Sequence, residues 1–157
     1  MQGYPGQVVG HWRILRPLAE GAFAGVFAAE HTTIGGRSAA VKLLRPELSL
    51  QPILKQRFLE EASVASRAEH ENIVQIFDGG ITEDGTCYQV MELLRGVTLG
   101  ELLRREQRLE LARVLNIAAQ IAAGLGAAHA LQIVHRDRFA PSPGRARGFH
   151  GPRSPSQ

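Results

Sequence analysis

Hydrophobic and polar positions alternate loosely over residues 11–18, the two-residue period of a strand with one buried face. That run ends in small residues at 19–24, and residues 25–31 predict a second strand. Gly35-Gly36, inside the polar stretch 32–37, is a hairpin-turn signal. Residues 38–44 form a short apolar strand with one lysine, Lys42, inside it, and Pro46 and Pro52 then punctuate a linker. Over residues 53–68 the period lengthens: Phe58, Ala62 and Ala65 recur at helical spacing, with acids and bases on the other faces. Residues 73–77 and 86–91 read as strands, separated by an Asp78-Gly79-Gly80 turn and the polar stretch 82–85. After Gly96 the pattern is helical. Thr98 is placed to cap a helix over 99–105, with Glu101 three residues on completing a capping box. Residues 111–131 predict a long core helix with Val114, Ile117, Ala118, Ile121, Leu125 and Ala128 on one side. Five strands with one helix, then further helices, make an α+β arrangement in two lobes.

Residues 138–157 break this pattern. They hold four of the eight prolines, with Gly, Ser and Arg, and no aliphatic residue larger than Ala. Such a stretch cannot bury a core and reads as disordered. It also carries Arg138, Arg145, Arg147 and Arg153 without an acid, so residues 1–137 have a net charge of −1 although the whole chain stands at +3. The basic balance belongs to the tail, and no nucleic-acid-binding surface is expected from it. At 157 residues, 44% of them hydrophobic, the chain is one ordinary soluble domain. Cys87 is the only cysteine, which excludes an internal disulfide and a cysteine-based zinc site; a buried small residue is the expected role. No apolar run approaches the roughly 20 residues of a membrane helix. Residues 1–10 lack the charged and apolar regions of a secretory signal. A cytoplasmic location without membrane contact is the expectation.

Four short motifs carry candidate chemistry. Leu18-Ala19-Glu20-Gly21-Ala22-Phe23-Ala24-Gly25-Val26 is a hairpin of small residues, where backbone N–H groups can approach phosphate oxygens. Any small-residue β-turn would read the same. Ala39-Ala40-Val41-Lys42 places a lysine in an apolar strand, which is costly unless the charge is paired. Glu60 and Glu61 are the available partners, and their flanks favour Glu61; a lysine snorkelling at a strand edge is the alternative. Val90-Met91-Glu92-Leu93-Leu94-Arg95-Gly96 runs from an apolar strand into an acidic-apolar linker. Ile133-Val134-His135-Arg136-Asp137 delivers His-Arg-Asp to a loop, where an aspartate can accept a hydroxyl proton. Each motif alone has little specificity.

In this order and spacing they resemble the protein-kinase signature set: glycine-rich loop, strand lysine, helix glutamate, hinge and start of the catalytic loop. His70-Glu71-Asn72-Ile73-Val74 and Ala127-Ala128-His129 resemble further stretches of bacterial, Hanks-type serine/threonine kinases. The resemblance covers residues 8–137. It implies a kinase-like N-lobe over about 8–95, with a five-stranded antiparallel sheet and one helix, and the start of a C-lobe over about 96–137. It implies ATP as cofactor and a protein substrate. Lys42, tied by Glu61, would hold the α- and β-phosphates; Leu18, Ala19 and Gly21 belong to the phosphate loop. Val26 and Ala40 would roof the adenine, Glu92 and Leu94 would offer hinge backbone to its edge, and Met91 would stand as gatekeeper. Asp137 would orient the substrate hydroxyl.

The chain departs from that pattern twice. Ala19 and Ala24 replace two of the three loop glycines, leaving Gly21. After Asp137 the family reads Leu-Lys-Pro-x-Asn, whereas here stand Arg138, Phe139, Ala140, Pro141 and Ser142. The catalytic-loop lysine and the magnesium-holding asparagine are missing. There is no Asp-Phe-Gly, and Phe77-Asp78-Gly79 has the wrong order. The activation segment is missing too, so magnesium is expected of the family but its ligands are not present. Three readings stand at this point: a truncated kinase domain, inactive alone; a non-catalytic, pseudokinase-like nucleotide-binding or interaction module; and a product of frame disruption. The last predicts that the coding DNA past codon 138 resumes the family pattern in another frame.

Overall fold

A computed structural model describes residues 4–132. The readings of residues 133–137, Asp137 among them, and of the tail at 138–157 lie outside the described residues. The described residues divide into two units, 4–69 with 74–93, and 70–73 with 94–132.

The first unit is an antiparallel sheet with helices. Its strands are β1 (Val8–Val9), β2 (Trp12–Glu20), β3 (Ala24–His31), β4 (Ser38–Leu44), β5 (Ile76–Ile81) and β6 (Cys87–Met91), in the order β1-β2-β3-β4-β6-β5. The two-residue β1 adds a sixth strand to the five expected. It pairs with Trp12 and Arg13 and stops well before Pro17. That accommodates Pro17, which has no N–H to give and sits between two register shifts. One face of the sheet closes over Val9, Trp12, Ile14, Ala29, Ala39, Val41, Leu43 and Val90.

The stretch from Pro46 to Pro52 was expected to be a linker and instead begins with a helical turn, α1 (Pro46–Ser49). The carbonyl of Arg45 nucleates it, accepting from the Leu48 and Ser49 N–H groups at 3.0 and 2.9 Å and from the Ser49 hydroxyl at 3.2 Å. Then α2 (Pro52–Ala65) starts on a proline, whose missing N–H costs nothing in a first turn. It buries Phe58 and Ala62, and Phe58 joins Leu44 and the buried Cys87 in a second cluster.

Asp78-Gly79-Gly80 is not a turn. It lies inside β5, which starts at Ile76 rather than at residue 73. The reason is space: a Cβ on Gly79 would stand 3.2 Å from the Tyr88 carbonyl oxygen and 3.9 Å from Ala62 Cβ on α2. Glycine here serves a close approach to the sheet.

The second unit holds α3 (Leu99–Glu106) and α4 (Leu111–Ala130). The capping box is formed: the Thr98 hydroxyl accepts from Glu101 N–H at 3.1 Å, and the Glu101 carboxylate accepts from Thr98 N–H at 2.8 Å. Arg113 on α4 donates to both carboxylate oxygens of Glu106, at 2.9 and 2.8 Å. The helix α4 packs close to residues 70–73 at Gly124, where a Cβ would meet the Asn72 carbonyl oxygen at 2.9 Å. Of the side expected to form a core, Ile117 is buried, while Val114, Ile121 and Leu125 are exposed. By length and composition α4 would also suit a membrane span, contrary to the expectation that no run reaches that size. Its alanines join its leucines, isoleucines and valine in raising the mean hydropathy, and Arg113 is the one Lys, Arg, Asp or Glu among them.

Candidate functional site

Antiparallel register decides which side chains share a face, because directly opposed residues project to the same side and alternate residues repeat it. Val26 opposes Lys42 and Ala28 opposes Ala40 across β3 and β4; Lys42 opposes Gln89 and Ala40 opposes Met91 across β4 and β6. Val26, Ala40, Lys42 and Met91 are thereby brought onto one face, the one α2 partly covers. Ala19 opposes Val26, and Leu18 falls in the register shift beside it.

The lysine is paired as the motif requires. Lys42 Nζ stands 3.3 Å from Glu61 Oε1 and 5.2 Å from the centre of the Phe58 ring, both on α2. Glu60 takes Gln56 as partner instead, at 2.7 Å. The lysine side chain is 26% exposed and that of Glu61 62%. So exposed a pair adds at most about 1 kcal/mol to stability, too little to hold α2 in place. The ammonium is aimed by the pair while it stays open to a ligand.

Two residues at this site were passed over in the sequence. Gln89 is 1% exposed, and its side-chain amide donates to the Phe58 carbonyl oxygen at 2.5 Å. The signal was a polar residue alternating with Cys87 and Met91 on the inward side of a strand. Arg45 donates from Nε and Nη2 to the Gly21 carbonyl oxygen, at 3.1 and 3.0 Å, and lies 3.4 Å from Glu20 Oε1. No local signal marks it, because its target lies 24 positions upstream.

At the other end of the face, Glu92 follows β6. Its N–H donates to the Gln75 carbonyl at 3.0 Å, and its carboxylate accepts from the Gln75 N–H at 3.1 Å. Leu94 is half-buried within the second unit. Asp137 is outside the described residues.

The family model for protein tyrosine and serine/threonine kinases matches residues 12–140. The chain belongs to the protein kinase family. Its relatives include the serine/threonine-protein kinase PrkC of Bacillus subtilis, 39% identical over 131 residues, which are 83% of this chain and 20% of PrkC. Pkn1 of Myxococcus xanthus is 40% identical over 82% of this chain and 18% of its own length. The chain thus spans about a fifth of the curated relatives it matches. Among solved structures, the kinase domain of Mycobacterium tuberculosis PknI superposes with a TM-score of 0.73 at 26% identity, covering 88% of this chain and 56% of that one.

As a bacterial-type serine/threonine kinase domain in fragment, the chain has the fold its resemblance implied: a curled antiparallel sheet with helices. The match runs through α4, which is therefore a helix of the kinase domain. The two alanines that flank the turn between β2 and β3, at the end of one strand and the start of the next, are unstrained. Among the described residues only Gln107 and Gln132 combine a side chain with positive φ, so Ala19 and Ala24 need none of glycine's freedom.

Among the described residues the donor set does not fit magnesium: no three His, Cys, Asp or Glu side chains gather where they could hold a metal. Position 142, where the resemblance implies asparagine, is Ser142.

Proposed function

We propose that this chain is the nucleotide-holding part of a serine/threonine kinase domain, binding ATP weakly through Lys42 and transferring no phosphate by itself. The observation that carries the reading is the Lys42–Glu61 pair at 3.3 Å, set on the sheet face that also carries Val26, Ala40 and Met91. Lys42 meets the α- and β-phosphates as a cation already oriented by Glu61. Val26 and Ala40 lie against the adenine, and the small Ala40 leaves room for a flat ring. Met91 stands behind the ring, with backbone groups of Glu92 and Leu94 at its edge. Leu18, Ala19 and Gly21 hold the loop over the phosphates. A protein substrate and a cytoplasmic setting, where ATP is supplied, belong to the same reading.

Transfer is another matter. A base such as Asp137 contributes about 10²–10⁴-fold, whereas most of the acceleration of phosphoryl transfer comes from positioning and charge neutralisation. Phe139 and Ser142 stand where that machinery is expected. The alternative is a non-catalytic, pseudokinase-like nucleotide-binding or interaction fragment.

The test is calorimetric titration with ATP beside a radiolabelled-ATP transfer assay on generic substrates. Lys42→Ala is expected to weaken binding about tenfold or more, the size of one hydrogen bond to a charged group. No label transfer is expected from the wild type. Binding indifferent to Lys42 overturns the site, and labelling abolished by Asp137→Ala overturns the inactive reading.

A further inference from the structure

Something must hold α2 at the distance where Glu61 reaches Lys42, and the exposed pair itself is too weak to do so. The helix supplies little of its own. It has no side-chain N-cap, no acid in the first turn and no base in the last, so its position depends on packing. Phe58 and Ala62 are its buried residues. Apolar contacts of that kind are non-directional and leave a helix free to slide or roll by a fraction of a turn. A buried hydrogen bond is directional. Among the described residues, Gln89 is the largest polar side chain in the core, and it spends its amide on α2.

We propose that Gln89 is a positioning residue whose buried amide, gripping the Phe58 carbonyl, sets the rotation of α2 that brings Glu61 to Lys42. The layout is compact. Gln89 sits directly opposite Lys42 on the neighbouring strand. Both side chains reach the same stretch of α2, Gln89 at the Phe58 carbonyl and Lys42 at the Phe58 ring and at Glu61 one turn on. The Phe58 carbonyl lies in the helix interior, where residue 62 already supplies its helical hydrogen bond. The Gln89 amide is therefore an added tether rather than a repair of an orphaned acceptor. Replacing it by an apolar side chain of similar length removes direction and leaves packing intact.

The experiment uses the full chain with Gln89→Met and has two arms. Hydrogen exchange is followed for peptides of α2 and, as an internal reference, of β4 and β6. Exchange in α2 is expected to rise about three- to tenfold over the reference, the factor that one net hydrogen bond supplies. An unchanged α2, or a rise shared equally by β4 and β6, overturns the proposal, since the residue then supports only general stability. The second arm rests on Lys42 as the phosphate-holding lysine. The ATP affinity ratio between Lys42 and Lys42→Ala is measured with Gln89 and again with Gln89→Met, and it is expected to shrink in the variant. If the wild type binds no ATP, the nucleotide reading fails, and the exchange arm still decides the role of Gln89.

Discussion

Arg45 shows how a single side chain can decide the state of a loop two strands away. Its guanidinium holds the Gly21 carbonyl by two hydrogen bonds while its own backbone N–H donates to the Phe23 carbonyl at 2.9 Å. The hairpin between β2 and β3 is thus anchored at two points to the start of α1. Arg45→Ala is expected to free the turn at residues 21–23, raising its hydrogen exchange while leaving the core of β4 protected. The neighbouring alanines make a converse case. Ala19 and Ala24 lie in strands at negative φ, so glycine there brings only added freedom in the unfolded chain. Ala24→Gly is expected to lower stability by about 0.5–1 kcal/mol, read from urea melts, even though it restores the family's residue. Lys42 was legible as a lysine needing a partner. The flanking residues favour Glu61 over Glu60, but the two acids are adjacent, and the seating of α2 is what separates them.

Among the elements, α3 was legible to within a residue because its signal is local: Thr98 and Glu101 satisfy each other across one turn. The hydrogen bond from the Thr98 N–H, then that from its hydroxyl, holds the Glu101 carboxyl below its ordinary value. A lowered folded value means the contribution is complete above the carboxyl's value in the unfolded chain. It is lost as pH falls through the folded value. Thr98→Ala is expected to cost about 1 kcal/mol at neutral pH and less in acid, seen as a smaller gap between wild-type and variant melting curves. The helix α4 offers a paired test. A methyl group on Gly126 would meet nothing within 4 Å, whereas one on Gly124 would face the Asn72 carbonyl at 2.9 Å. Gly126→Ala is expected to stabilise the helix by up to about 1 kcal/mol through propensity. Gly124→Ala forfeits that gain to the clash and is expected to destabilise, both read from thermal melts. Strand β5 was misplaced in the sequence reading for a related reason: Gly79 and Gly80 look like turn residues until Tyr88 and Ala62 are seen against them.

At the scale of the whole molecule the prominent feature is the apolar stripe of α4. Leu111, Val114, Ile121 and Leu125 recur at helical spacing, Leu115 lies beside them, and all are more than 40% exposed. Contiguous apolar surface of this kind drives association in water. The purified chain is expected to self-associate in sedimentation, and Leu115→Gln with Ile121→Gln to shift it toward monomer. A sharp monomer with a cooperative melt in the wild type would count against this. Sequence alone determined the order of the longer strands and helices, the capping box, the lysine that needs a partner and the kinase pattern that joins them. All of these are written in periods and spacings within a few residues of one another. Tertiary structure decided that Glu61 comes within reach of Lys42 while Glu60 turns to Gln56, that Gln89 reaches α2, that Arg45 holds Gly21 and that one side of α4 stays bare. Those outcomes depend on groups 19 to 31 positions apart, or on what fails to cover a surface, and neither distance nor absence leaves a mark in local periodicity.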